Sequence, residues 1–108
     1  MTLSTHVLDT MHGKPAAGVR LRLFHGALPL FEGMTDSDGR CPGLKNLTLH
    51  KGAYRLEFSV AAYFRKLGVE LSDPPFLDVV HIDFGLGDGH HHVPLLVSPF
   101  AYSTYRGS

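Results

Sequence analysis

Val19-Arg20-Leu21-Arg22-Leu23-Phe24 decides the fold. Val19, Leu21 and Leu23 alternate with Arg20, Arg22 and Phe24, a period of two that suits a half-buried strand and not a helix. Similar runs recur on both sides. Toward the N-terminus, residues 3–10 read as a first strand, with His12-Gly13-Lys14-Pro15 as its turn. Residues 26–29 read as a loop and residues 30–35 as a third strand. Asp36-Ser37-Asp38-Gly39 is a strong turn signal. A short strand is expected over residues 44–47. Residues 53–60 alternate Tyr54, Leu56 and Phe58 with Arg55, Glu57 and Ser59. Residues 61–67 are helix formers ending at Gly68, a suitable C′ residue, which predicts about two helical turns. Pro74-Pro75 breaks the chain. Strands follow over 76–84, 90–97 and 101–105, with a turn over 85–89. Seven to eight short strands with turn signals between them predict an all-β, antiparallel β-sandwich carrying one short helix.

The chain has 108 residues, enough for a single domain over residues 1–108 with one modest core. Ten basic and ten acidic residues cancel, so neither nucleic acid nor an anionic membrane is an expected partner. One cysteine, Cys41, forbids an intramolecular disulfide and points to a reducing compartment. The first residues show no basic stretch followed by an apolar run, the mark of a signal peptide. No apolar stretch approaches the roughly 20 residues that cross a bilayer. A cytoplasmic location is expected.

Eight histidines are the odd number in the composition, because imidazole titrates near neutral pH. Strand alternation decides which of them can meet. His6 and Leu8 share a face, opposite Val7 and Asp9. His90, His92, Pro94 and Leu96 share a face, opposite His91, Val93, Leu95 and Val97. The second set is the better core face, which turns His90 and His92 outward. Ser103 and Tyr105 share a face of the last strand. Taken alone, the His90-His91-His92 triplet reads as a solvated turn end, Arg40 as a surface arginine and residues 105–108 as a frayed terminus. The sharper reading of His90 and His92 is a metal site, since His-X-His on one face is a real ligand spacing. No thiolate pair or third carboxylate accompanies them. His12, His25, His50 and His81 stand isolated, where surface or structural roles are expected. No Gly-rich phosphate loop, Gly-x-Ser-x-Gly elbow or His-Glu-x-x-His pattern is present, and Cys41 has no histidine partner.

Four segments carry a resemblance. They are Ser4-Thr5-His6-Val7-Leu8-Asp9-Thr10 with Gly13-Lys14-Pro15-Ala16; Thr35-Asp36-Ser37-Asp38-Gly39-Arg40; His90 through Pro99; and Tyr102-Ser103-Thr104-Tyr105-Arg106-Gly107-Ser108. Together they resemble the 5-hydroxyisourate hydrolases of the transthyretin-related family, over essentially the whole length. The terminal Tyr-Arg-Gly-Ser looks like the signature that separates these hydrolases from hormone-carrying transthyretins. The resemblance implies a transthyretin-like (prealbumin-like) sandwich. It also implies catalytic roles for His6, Arg40 and His92, with Ser103, Tyr105, Arg106, Gly107 and Ser108 around the substrate. The family opens the six-membered ring of 5-hydroxyisourate, giving 2-oxo-4-hydroxy-4-carboxy-5-ureidoimidazoline in urate degradation. No cofactor or metal is expected here, and the family works as a homotetramer, a dimer of dimers with sites in the channel between dimers. One departure is visible: His91 stands where the family usually has an aromatic residue, and alternation points it away from the channel.

On this reading His6 or His92 acts as general base on water, Arg40 polarises the ring carbonyl, and the other imidazole orients water or protonates the departing nitrogen. A neighbouring Arg40 charge is expected to keep the imidazoles neutral. Two alternatives remain open. One is a transthyretin-like carrier of a small hormone-type ligand; the other is a zinc-dependent hydrolase using His6, His90 and His92.

Overall fold

The computed structural model describes residues 1–107. Ten strands and one α-helix follow in the order β1 (Thr2–Ser4), β2 (Val7–Asp9), β3 (Lys14–Pro15), β4 (Arg20–His25), β5 (Leu28–Met34), β6 (Gly52–Ser59), α1 (Val60–Lys66), β7 (Val79–Leu86), β8 (His90–His92), β9 (Leu95–Val97) and β10 (Tyr102–Ser103). One sheet, β5-β4-β6-β7, is antiparallel throughout. The other layer holds β10-β9-β2-β3 and the pair β1-β8. The alternation that opened the sequence reading is real. Leu21 and Leu23 are buried between exposed Arg20 and Arg22. They join Leu56, Phe58, Val80 and Ile82 in one apolar cluster with Leu3, Val7, Leu95 and Val97 from the other layer. Tyr63 and Phe64 of α1 complete it, and Gly68 follows at φ 84° as the expected helix stop.

The departures from the sequence reading have local causes. Residues 3–10 are not one strand: β1 pairs with β8 and β2 with β9, both in parallel, with Thr5 and His6 between them. The sandwich is therefore mixed and not purely antiparallel. Residues 90–97 break at Val93-Pro94, where Pro94 has no N–H for a ladder. The expected strand at 44–47 is instead a 3-10 helix, Pro42–Asn46. Pro42 in its first turn has φ already set for a helix, and Leu44 alone turns into the core. The strand expected from residue 76 begins at Val79, because its partner β6 ends opposite it at Ser59, where α1 begins. At its far end β7 runs on to Leu86, opposite Gly52. The strand over 101–105 shrinks to Tyr102–Ser103.

Candidate active site

The parallel register sets Ser4 beside His92 and Thr2 beside His90. Burial follows the alternation across the β1–β2 break except at Ser4: Leu3, Thr5, Val7 and Asp9 are buried and Thr2, His6 and Leu8 half-buried, while Ser4, between His90 and His92, is buried as well. Thr2, Ser4 and His6 thus share the outer face with His90 and His92. The Ser4 hydroxyl lies 2.7 Å from His92 Nδ1 and 2.9 Å from His90 Nε2. Thr2 Oγ1 lies 2.6 Å from His90 Nδ1.

Arg40 reaches this face through the turn before it. The Asp36 carboxylate accepts the amides of Asp38 and Arg40 at 2.9 and 3.0 Å, and its carbonyl accepts that of Gly39 at 2.9 Å. Gly39 has φ 76°, and a Cβ there would run into the carbonyl oxygen of Val7, so only glycine fits. The Gly39 carbonyl accepts the Val7 amide at 2.8 Å, and Arg40 forms an antiparallel bridge with His6. The Arg40 guanidinium is exposed and has no hydrogen-bond or ion-pair partner among the described residues.

On the other side of β8 runs the C-terminal segment. Gly107 donates its amide to the His92 carbonyl at 2.8 Å. A Cβ on Gly107 would lie 2.7 Å from His92 Cδ2, so the glycine backbone rests directly against the imidazole. His92 is therefore flanked by Ser4 on one strand and Gly107 on the other. Its pKa lies below the ordinary histidine value of 6.5, first because the ring is partly buried, then because Arg40, His6, His90 and Lys45 present positive charge to it. A neutral imidazole near a guanidinium that has no partner among the described residues can accept a proton from water while the guanidinium binds an oxyanion.

The remaining residues fall elsewhere. Ser103 is exposed in β10, opposite Leu96. Tyr105 and Arg106 are exposed and line a hollow with Ile82, Phe84, His91 and Val93, on the inner side of β8. Ser108 lies outside the described residues. His91 is buried, and its Nε2 accepts the Gly87 amide at 3.2 Å, which fixes the β7–β8 turn. His12 pairs with Asp9 at 2.6 Å and His25 stacks on Tyr54. His81 lies 3.8 Å from Glu57. Among the described residues no three His, Cys, Asp or Glu side chains are gathered as a metal site. Both ring nitrogens of His90 are instead occupied by hydroxyls. A larger hollow between Tyr54, Arg55, Asp83 and Phe84 lies on the other sheet, and its Arg55–Asp83 pair is internally satisfied at 2.7 Å. Sequence reasoning missed Thr2, Ser4 and Lys45. Period two from His6 back to Ser4 would have found the serine; only the 3-10 turn brings Lys45 near.

The family model described as HIUase/Transthyretin family matches residues 3–107. A 5-hydroxyisourate hydrolase of Deinococcus radiodurans is 52% identical, with 98% of this chain and 95% of that protein covered. The structure of Klebsiella pneumoniae 5-hydroxyisourate hydrolase superposes with a TM-score of 0.89 at 38% identity, each chain covered completely. Sea bream transthyretin in complex with thyroxine superposes with a TM-score of 0.85 at 30% identity, covering 99% of this chain and 95% of that one. The histidine and arginine face is thus found on a fold shared with a named hydrolase and with a thyroxine-bound transthyretin, and the chain belongs to the HIUase/Transthyretin family.

Proposed function

We propose that this chain is a 5-hydroxyisourate hydrolase in urate degradation, with one domain over residues 1–108 carrying the activity. The observation that carries the reading is 52% identity to a named 5-hydroxyisourate hydrolase over nearly the whole chain, and the site's geometry fits it. Arg40 and His6 act on a partly buried His92 whose imidazole is held neutral, beside a guanidinium with no partner among the described residues. Water attacks the ring carbonyl, and its oxygen bonds to the carbonyl carbon. Its proton passes to an imidazole, His92 or His6, while Arg40 takes the developing oxyanion. The acyl–nitrogen bond then breaks, and the departing nitrogen takes a proton from the other imidazole or its water. Gly107, against the His92 ring, is assigned to the wall of the substrate pocket; the roles of Ser103, Tyr105, Arg106 and Ser108 rest on the family resemblance alone, since Tyr105 and Arg106 line a separate hollow in this chain, and no metal or cofactor is assigned to the reaction. Strand β8 leaves His92 only half-buried, and Arg40 lies open to solvent. That openness supports a homotetramer in which a second dimer closes over the face. A cytoplasmic location rests on the buried free thiol of Cys41. No helix among the described residues is long and apolar enough to cross a membrane.

The test follows freshly generated 5-hydroxyisourate spectroscopically against its spontaneous decay. His6→Ala, His92→Ala and Arg40→Ala should each slow the enzymatic rate roughly tenfold or more while the tetramer persists. An unchanged rate in Arg40→Ala removes the guanidinium from the mechanism. Hormone-type carriage is the second reading, favoured by the likeness to a thyroxine-bound transthyretin. It requires thyroxine to bind and the wild type itself to leave ring opening at its spontaneous rate.

A further inference from the structure

The β1–β8 pair holds an uninterrupted hydrogen-bonded chain. It runs from Thr2 Oγ1 to His90 Nδ1 at 2.6 Å, from His90 Nε2 to Ser4 Oγ at 2.9 Å, and from Ser4 Oγ to His92 Nδ1 at 2.7 Å. Ser4 is 8% exposed, whereas His90 lies open at the surface. The chain thus leads from solvent inward to the one histidine that Gly107 and Arg40 frame.

A serine hydroxyl has a single proton, so Ser4 donates to one ring and accepts from the other. With both rings neutral, two concerted arrangements satisfy every atom. In the first, His92 Nδ1–H donates to Ser4, Ser4 donates to His90 Nε2, and His90 Nδ1–H donates to Thr2. His92 Nε2 then carries a lone pair. In the second every proton has moved one place, and Nε2 carries a hydrogen. We propose that Ser4 and His90 are positioning residues that hold the His92 ring, couple its tautomer to theirs and relay its proton to and from solvent.

The proposal rests on the reading above, in which His92 acts on the substrate. In the first arrangement, the attacking water bonds through oxygen to the carbonyl carbon and yields its proton to His92 Nε2. The Nδ1 proton passes to Ser4, the serine proton to His90 Nε2, the His90 Nδ1 proton to Thr2, and a proton from Thr2 to water. No imidazolium needs to persist beside Arg40, His6 and Lys45, the charges that face His92 from the neighbouring elements. In the second arrangement, Nε2–H is the donor for the departing nitrogen. Its transfer resets the chain with one proton drawn back from solvent. The sum is neutral in protons. One imidazole serves as base and then as acid, and Ser4 never touches the substrate.

The experiment uses the full chain with Ser4→Ala and Ser4→Thr, the latter keeping a hydroxyl. Imidazole nitrogen NMR shifts of His92 read the tautomer without substrate, and steady-state kinetics separate kcat from KM. In Ser4→Ala the His92 nitrogens should shift from the wild-type tautomer balance, because the ring loses its Nδ1 partner. Its kcat should fall roughly tenfold, short of the roughly 10²–10⁴ attributable to the acid–base group itself. KM should stay within about twofold, and Ser4→Thr should restore both readouts. Identical His92 shifts in wild type and Ser4→Ala overturn the tautomer coupling. Shifted nitrogens with an unchanged kcat overturn the relay, as does a Ser4→Thr that behaves like Ser4→Ala. A wild type with no hydrolysis sinks the functional reading instead, and the NMR arm still decides what Ser4 does to His92.

Discussion

His92 titrates below an ordinary imidazole because its ring is partly buried and positive charge converges on it from Arg40, His6, His90 and Lys45. If it is the base, the acid limb of kcat/KM reports its protonation in the free enzyme and lies below pH 6.5. Arg40→Ala removes one of those charges. The limb should then move to higher pH without regaining the ordinary value, since burial is the larger cause and is untouched. A pH–rate profile of the residual activity reads this directly, and an unmoved limb separates Arg40 from His92 electrostatically. Gly107 makes the second residue-scale argument. Its backbone occupies the space a Cβ would need, 2.7 Å from the ring carbon of His92. Gly107→Ala must displace either the imidazole or the terminal segment. We expect kcat to fall roughly tenfold or more, as for misplacing a reacting group by about 1 Å, with little change in thermal midpoint. The opposite pattern, intact kcat and lowered stability, would make the contact merely structural.

Strands β1 and β2 read as one run in the sequence, and side-chain alternation does run unbroken through them: Leu3, Thr5 and Val7 point inward. What sequence could not show is that the chain exchanges partners at Thr5-His6, because pairing is set by residues almost the whole chain away. The same holds at Val93-Pro94, although there Pro94 announces a break. His6, Arg40 and His92 were legible through motif resemblance, and the outward face of His92 through period two. Ser4 was legible in principle, since it is two residues from His6 on the same face. Lys45 was not, because its position depends on a 3-10 turn in a segment whose apolar residues look like a strand. The turn that delivers Arg40 can be tested at Gly39. Ala there must adopt φ near 76° and meet the Val7 carbonyl. Destabilisation of about 1–3 kcal/mol is expected in denaturant unfolding. Loss of activity beyond that of unfolding would show that the turn also aims the guanidinium.

At the scale of the whole molecule, one buried carboxylate ties α1 to the layer that holds β2. Asp9 of β2 accepts the Tyr63 hydroxyl of α1 at 2.8 Å and the His12 ring at 2.6 Å, and its side chain is fully buried. Burial alone would raise its pKa, but the His12 side-chain and backbone hydrogen bonds and the Tyr63 hydroxyl outweigh it and hold Asp9 below 3.8. Burial and the same bond raise Tyr63 well above an ordinary phenol. A carboxyl whose folded pKa is depressed contributes stability that is present above the unfolded value. That stability is lost as pH falls through the folded one, here below pH 3.8. Tyr63→Phe removes a donor from a buried charge and should cost about 1.5–3 kcal/mol at neutral pH. It should also move the acid unfolding midpoint upward, because Asp9 is then less well held. Equilibrium denaturation at pH 7 and an acid titration by circular dichroism check both parts; an unchanged midpoint would mean His12 alone suffices.

Ser4 and His92 are 88 residues apart in the chain, yet one hydroxyl joins them. The catalytic face is thus a product of late, long-distance closure. The antiparallel sheet built from β4, β5, β6 and β7 can assemble from neighbours, whereas β1 and β8 meet only after the chain has folded back almost from end to end. Refolding should recover core tryptophan-free signals, such as tyrosine burial, before ring opening. Under mild denaturant, exchange of the Thr2 and Val93 amides should mark the loss of function before the core opens.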